Sequence, residues 1–194
     1  WNEAIIELHN PDNIDSYQKK FYQRLAFDEI FSTFLVNSEI RKKIKKVKKD
    51  KKILDIKKQN NLINKLKFIL TNDQLKTLNE INKDLSSSNK MFRLLQGDVG
   101  SGKTIVSLLG AYNTICSGFQ VAVMAPTEIL ARQHYTLAKN IFPKNLNIEI
   151  ISGRTDYKNK KKILNKLLNH EIDIIFGTHA IFQNKVNFNK LGLI

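Results

Sequence analysis

The 194 residues suffice for one domain of ordinary size, or for one with an appended segment, and 42 % hydrophobic with 26 % charged residues is the balance of a globular chain. No apolar run approaches the roughly 18 residues that a membrane crossing needs, and the single cysteine, Cys116, can build neither an internal disulfide nor a cysteine zinc site. Lys and Arg number 32 against 18 Asp and Glu, a net charge of +14 that points to a polyanionic partner, nucleic acid first, although joint richness in Lys, Asn and Ile also reads as the codon bias of an AT-rich genome.

Tyr17 to Val36 predicts an amphipathic helix. Phe27, Ile30, Phe31, Phe34 and Leu35 recur at i, i+3, i+4, i+7 and i+8, an apolar face suited to packing on a neighbouring domain. Nine of the twelve residues from Arg41 to Lys52 are basic, which fits first a solvated helix extension or linker and second a contact to a phosphate backbone. Asn60 to Ile69 again predicts helix. Thr71-Asn72-Asp73-Gln74 opens another helix running to about Leu85, with Thr71 and Gln74 at the spacing of a capping box. Ser86 to Lys90 reads as a turn leading into the core domain.

From Met91 onward the pattern becomes strand–helix alternation. Short apolar, β-branched runs predict strands at Phe92–Gln96, Gln120–Ala125, Ile148–Ile151, Ile172–Phe176 and one starting near Leu193. Helical stretches near Ile105–Cys116, Glu128–Asn140 and Asn159–Asn169 lie between them. The expectation is a doubly wound parallel α/β sheet of the P-loop NTPase kind, preceded by an α-helical segment. Cys116 falls among apolar residues, as an inert buried thiol in a reducing cytoplasm would.

Gly97 to Thr104 reads Gly-Asp-Val-Gly-Ser-Gly-Lys-Thr and fits the phosphate-binding pattern G-x-x-x-x-G-K-[ST] without mismatch. The chemistry explains the pattern. Gly97, Asp98, Val99, Gly100, Ser101 and Gly102 would form a tight turn that aims backbone N–H groups at phosphate oxygens, ahead of a helix whose dipole adds to the pull. Lys103 would reach the β- and γ-phosphates, and the Thr104 hydroxyl would hold Mg²⁺. Ligands of such sheets bind beyond the carboxyl ends of the strands. Three further segments reach that edge: Ala125-Pro126-Thr127, where Thr127 is placed to cap the next helix; Ser152-Gly153-Arg154; and Gly177-Thr178-His179-Ala180. A helix N-terminus beside a nucleotide site suits a nucleic-acid phosphate, though Thr127 could equally be a cap and nothing more. His179 has no metal partner in the sequence.

Gln96 to Thr104, Ala125 to His134 and Gly177 to Phe182 together closely resemble the RecG family of bacterial superfamily 2 DNA helicases, which remodel stalled forks and Holliday junctions. Upstream, Arg24-Leu25-Ala26-Phe27-Asp28-Glu29 is similar to that family's helix between wedge domain and motor, and Phe68 to Gln74 to its segment ahead of the motor. Lys67 and Lys90 stand where prolines are expected, and Ser152 replaces a usual threonine. The resemblance implies that residues 1–60 are a helical linker and tail of the wedge region, with Trp1–Pro11 as its tail. Residues 61–194 would be the N-terminal part of a RecA-like ATP-binding lobe. It further implies ATP and Mg²⁺ as cofactors, branched DNA as partner, no membrane, a bacterial cytoplasmic setting and a monomer. Gln74, with Phe68 stacking on the base, would read adenine; Pro126, Thr127, Ser152, Gly153 and Thr178 would lie along the DNA backbone.

Starting at Trp1 and stopping at Ile194, where Leu191-Gly192-Leu193 opens an apparent strand, the chain reads as an excerpt from a longer protein. By the resemblance, the acid that activates water would follow Ile194 within a few residues, so the excerpt alone is expected to hydrolyse no ATP at a useful rate. Rival readings are a transcription-repair coupling factor translocating on duplex DNA, a signalling GTPase, and a basic nucleic-acid-binding module. Arg24 to Glu29 argues against the first. The second lacks its guanine-reading motif, since Asn82-Lys83-Asp84-Leu85 has the wrong spacing. Intact Lys103 and Thr104 argue against the third.

Overall fold

The computed structural model describes residues 2–9, 17–46, 50–182 and 186–194; residue 1, residues 10 and 11 of the predicted tail and residues 47–49 of the basic run lie outside the described residues. The chain divides into two units, one formed by Trp1–Lys49 with Asn89–Phe92, the other by Asp50–Ser88 with Arg93–Ile194.

The first unit holds α1 (Asn2–His9) and α2 (Tyr17–Lys46), which pack together and bury Ala4. α2 continues ten residues past the predicted end at Val36. No Pro or Gly interrupts it, and Arg24–Asp28 at 3.3 Å and Glu39–Lys42 at 3.0 Å lie at spacings that support a helix. Residues 41–46 of the basic run are therefore a helix extension. The predicted apolar face is present and exposed; Phe27 and Phe31 stack on it with ring centres 5.8 Å apart.

In the second unit the elements are α3 (Ile56–Ile63), α4 (Asn72–Ser86), α5 (Lys103–Cys116), β1 (Gln120–Met124), α6 (Glu128–Ile141), β2 (Ile148–Ile151), α7 (Tyr157–Leu168), β3 (Ile174–Gly177), a 3₁₀ turn at His179–Phe182 and β4 (Leu191–Leu193). α3 corrects the predicted helix at Asn60–Ile69. Asp55 starts it four residues earlier by accepting from Lys58 N at 3.1 Å. Bonds from Lys65 N to Leu62 O and from Leu66 N to Ile63 O then tighten the chain and end it. α4 carries the predicted capping box in full.

All four strands are parallel, in the order β2-β3-β1-β4. The run Phe92–Gln96, predicted as a strand, makes no ladder; Phe92 is 65 % and Leu94 79 % exposed. Apolar composition gives β propensity, but a strand exists only against a partner. The edge strand β4, three residues long, takes none from this segment. β3 begins two residues later than predicted. Ile172 O is taken by the Gln120 side chain, and Asp173 meets β1 through its carbonyl alone, which accepts from Val121 N at 2.9 Å.

β1 and β3 bury Val121, Ala122, Ile174, Ile175 and Phe176, with Ile163 and Leu167 of α7 closing one side. A buried amide cluster ties three helices together: Asn82 Nδ2 and Asn113 Nδ2 both donate to Gln59 Oε1, at 2.9 and 2.8 Å, and Asn113 Nδ2 also reaches Asn82 Oδ1 at 2.6 Å. Gln59, Asn82 and Asn113 thus tie α3, α4 and α5 together by directional bonds, while Asn113 Oδ1, itself buried, has no hydrogen-bond partner among the described residues. Among the described residues no helix is long and apolar enough to cross a membrane.

Candidate functional site

α3, α4, α6 and α7 each begin at a side-chain cap, from Asp55, Thr71, Thr127 and Asp156 respectively. α5 does not. Its N-cap is Gly102, in the left-handed region at φ +81°, with no side-chain hydrogen bond. Gly100 is also left-handed, at +86°. These two glycines let the chain fold back so that the first N–H groups of α5, which have no intrahelical acceptor, point out of the helix with its positive dipole end behind them. Gly97–Gly102 thus form a ring-like turn, closed by Ser101 N donating to Asp98 O at 3.2 Å.

Lys103 lies within this ring. Its ammonium donates to Gly97 O at 2.7 Å and Asp98 O at 2.5 Å, so the positive charge is held over the loop by backbone carbonyls. Thr104 follows, half-buried, and Val99 stands fully in solvent at the loop tip.

Gln74 reaches the loop from α4. Its Oε1 accepts from Thr71 N at 2.9 Å, and its Nε2 donates to Ser101 O at 2.9 Å. One amide thereby serves both as helix cap and as a tether of the loop. A Cβ at Gly102 would run into Gln74 Nε2, so the close approach requires glycine there as well. Phe68, half exposed, borders a hollow of about 550 Å³ with Ile63, Leu66, Leu70 and Leu75; among the described residues no hydrogen bond or ring contact joins it to the loop. A second tether is not marked by any motif. Arg93, four residues ahead of Gly97, pairs with Glu80 at 2.7 Å and Asp84 at 2.8 Å on α4. The hydrogen bond to Asp84, outweighing the cost of burial and helped by Glu80, holds the Arg93 pKa above its ordinary value.

α5 packs on β1 and joins it through a turn at residues 117–119, so the start of α5 and the carboxyl end of β1 lie on the same side of the sheet. Met124 and Ile151 are both in register with Gly177. The residues that follow these three strand ends therefore emerge along one edge: Pro126 and Thr127, Ser152 and Gly153, and Thr178. Pro126 and Gly153 are exposed; Ser152 and Thr178 are buried. Thr127 Oγ1 accepts from Leu130 N at 3.3 Å, and Ser152 Oγ accepts from Arg154 N at 3.3 Å. Glu128 spans two of these loops, meeting Arg132 at 3.2 Å and Arg154 at 3.7 Å. Only its i,i+4 spacing to Arg132 is visible in sequence. His179 is exposed, and among the described residues no cluster of three His, Cys, Asp or Glu side chains is placed to hold a metal.

Residues 71–194 match the DEAD/DEAH box helicase family. Over 98 % of its length the chain is 40 % identical to an ATP-dependent DNA helicase RecG from Aquifex aeolicus, covering 25 % of that protein. Over 99 % it is 38 % identical to one from Streptococcus pneumoniae, covering 28 %. Among solved structures, RecG bound to a three-way DNA junction superposes with a TM-score of 0.79 at 40 % identity, covering 91 % of this chain and 25 % of that one. The chain thus spans about a quarter of the length of the curated relatives that it matches.

Proposed function

Because this chain belongs to the DEAD/DEAH box helicase family, we propose that it carries the ATP-binding lobe of an ATP-driven DNA helicase that remodels branched DNA in a bacterial cytoplasm. Residues 61–194 are read as the N-terminal part of that lobe and residues 1–60 as helical linker and tail. One observation carries the reading: α5 alone among the helices of its unit starts without a side-chain cap, directly behind the glycine-rich loop.

The residues present fit a nucleoside triphosphate with Mg²⁺. The start of α5 supplies backbone N–H groups that no side chain caps, Lys103 an ammonium and Thr104 a hydroxyl. Bound there, the metal ion would neutralise charge between the β- and γ-phosphates. Lys103 would exchange the carbonyls of Gly97 and Asp98 for phosphate oxygens, and Thr104 would turn its hydroxyl to the ion. Gln74, held at Oε1 by Thr71 N, would present its amide to adenine, with Phe68 stacking on the base. Pro126, Thr127, Ser152, Gly153 and Thr178 would line the DNA backbone at the strand ends. Glu128 supports this, because its pair with Arg154 at 3.7 Å links the loops after β1 and β2.

Two results are expected of the full-length protein. Gln74→Ala should raise the KM for ATP about tenfold, the worth of one lost hydrogen bond plus a looser loop, and weaken preference for ATP over GTP. Steady-state kinetics with both nucleotides measures this; unchanged discrimination would return Gln74 to a purely capping role. ATP hydrolysis on a four-way junction, a fork and a linear duplex tests the function itself. Stronger stimulation by the branched DNAs supports the proposal, equal stimulation by plain duplex favours a general duplex translocase, and no stimulation rejects a DNA motor.

A further inference from the structure

α7 carries charge of one sign only: its twelve residues hold five lysines and no acid. Ile163 and Leu167 face the core cluster, which leaves Lys158, Lys161, Lys162 and Lys166 exposed as a stripe on the opposite side. From Lys158 to Lys166 the stripe is about 12 Å long at the helical rise, which corresponds to three or four base-pair steps of a duplex. The neighbouring acids are engaged elsewhere. Asp156 accepts from Lys158 N at 3.2 Å as the helix cap, Glu171 from Asn169, and Asp173 from Asn147 N. Among the described residues no ion pair joins these four lysines to an acid.

An ordinary solvated helix gains a few tenths of a kcal/mol from each oppositely charged i,i+4 pair, and loses as much for each like pair. Here Lys158 and Lys162 repel at i,i+4, as do Lys162 and Lys166, while Lys158 and Lys161 repel at i,i+3. The helix forms in spite of this because its cap and its buried face hold it. A polyanion along the stripe would add attractions that offset these repulsions. The stripe also starts at the right place. Arg154, 89 % exposed on its side chain, stands four residues ahead of Lys158 in the loop at the end of β2. α7 runs from that loop back along the flank of the sheet.

We propose that Arg154, Lys158, Lys161, Lys162 and Lys166 form a track that carries the phosphate backbone of one duplex arm away from the strand-end loops and along the outside of the lobe. This rests on the reading of those loops as the DNA edge. The track offers ammonium groups to phosphates and nothing to base edges, so it adds affinity and arm-length dependence without sequence preference.

The test uses the full-length protein and a labelled fork, with anisotropy titrations across a range of salt. Lys158→Gln, Lys161→Gln and Lys162→Gln combined should weaken binding about tenfold at low salt and make log K against log salt shallower by about two to three. The corresponding triple Lys→Arg variant should bind like wild type. Removing the same number of charges elsewhere, by Lys57→Gln, Lys65→Gln and Lys83→Gln, should change affinity by less than about twofold. ATP turnover at saturating DNA should be unchanged in the control triple. An unchanged salt slope in the α7 variant overturns the track, and so does equal weakening by the control triple, which would mean net charge alone. A lowered melting temperature with DNA affinity intact overturns it too, since the lysines would then be covered by protein. If the wild-type protein binds no DNA, it is the function proposed above that fails, and the track falls with it.

Discussion

Lys103→Ala in the full-length protein is expected to reduce DNA-dependent ATP turnover by a factor of about 10² to 10³ or more, while DNA affinity stays nearly unchanged. The ammonium lies over the loop, 2.7 Å from Gly97 O, and among the described residues no other Lys or Arg side chain hydrogen-bonds to the loop. On the proposed reading, its removal takes away the ammonium that would stabilise charge building on the γ-phosphate. The fold should survive, because the side chain is only half-buried and its partners are carbonyls of an exposed loop. Those carbonyls return to water at little cost. ATPase assays with saturating fork DNA, together with anisotropy on the same fork, separate the two effects. Parallel loss of turnover and DNA binding would mean that Lys103 holds the lobe together rather than acting on nucleotide. Equal turnover in mutant and wild type would mean that the loop binds no triphosphate in the productive state.

The loop is also the part of the molecule most legible in sequence, and the reason is local. Gly100 and Gly102 are needed for their backbone angles and Lys103 for its charge, so eight consecutive residues specify the geometry. Gln74 was half legible. Its spacing from Thr71 shows the capping box, which uses Oε1, but the bond from Nε2 to Ser101 O crosses 27 positions and no local rule reveals it. The ends of α3 depended on competition between Asp55 as a cap and i,i+3 bonds after Ile63, which periodicity alone does not resolve. Phe92–Gln96 failed for a different reason. Its composition is that of a strand, yet strand formation is a property of a pair. The amide cluster of Gln59, Asn82 and Asn113 was invisible, because three polar residues on three helices look like surface until their facing sides are known. The strand-end loops were predicted as neighbours from the parallel fold, and the shared register of Met124 and Ile151 with Gly177 now gives that adjacency its geometry.

Gly177→Ala should destabilise the lobe by about 2–4 kcal/mol, the range of an overpacked core position whose neighbours cannot yield. In a unit of this size that lowers its melting temperature by roughly 5–10 °C. Gly177 closes β3 between β2 and β1, and its carbonyl accepts from Ala125 N at 2.9 Å. An added Cβ would run into Ile151 O, a backbone atom, and would come within 2.9 Å of Ile181 Cγ1 and 3.0 Å of Ile151 Cγ2. The flexible end of a side chain could move aside, but a carbonyl fixed at the end of a paired strand cannot without parting β2 from β3. The strain falls on the residues that launch Ser152 and Thr178, so any protein that still folds should also lose DNA-stimulated turnover. Gly153, one loop away, supplies the contrast. A Cβ there meets nothing within 4 Å, so Gly153→Ala should leave the melting temperature unchanged. Thermal melts of the two full-length variants side by side check both statements. If Gly153→Ala melts like wild type and yet slows DNA-stimulated hydrolysis, packing cannot be the cause, and the lost rate must come from what approaches that loop from outside, as a nucleic-acid backbone would.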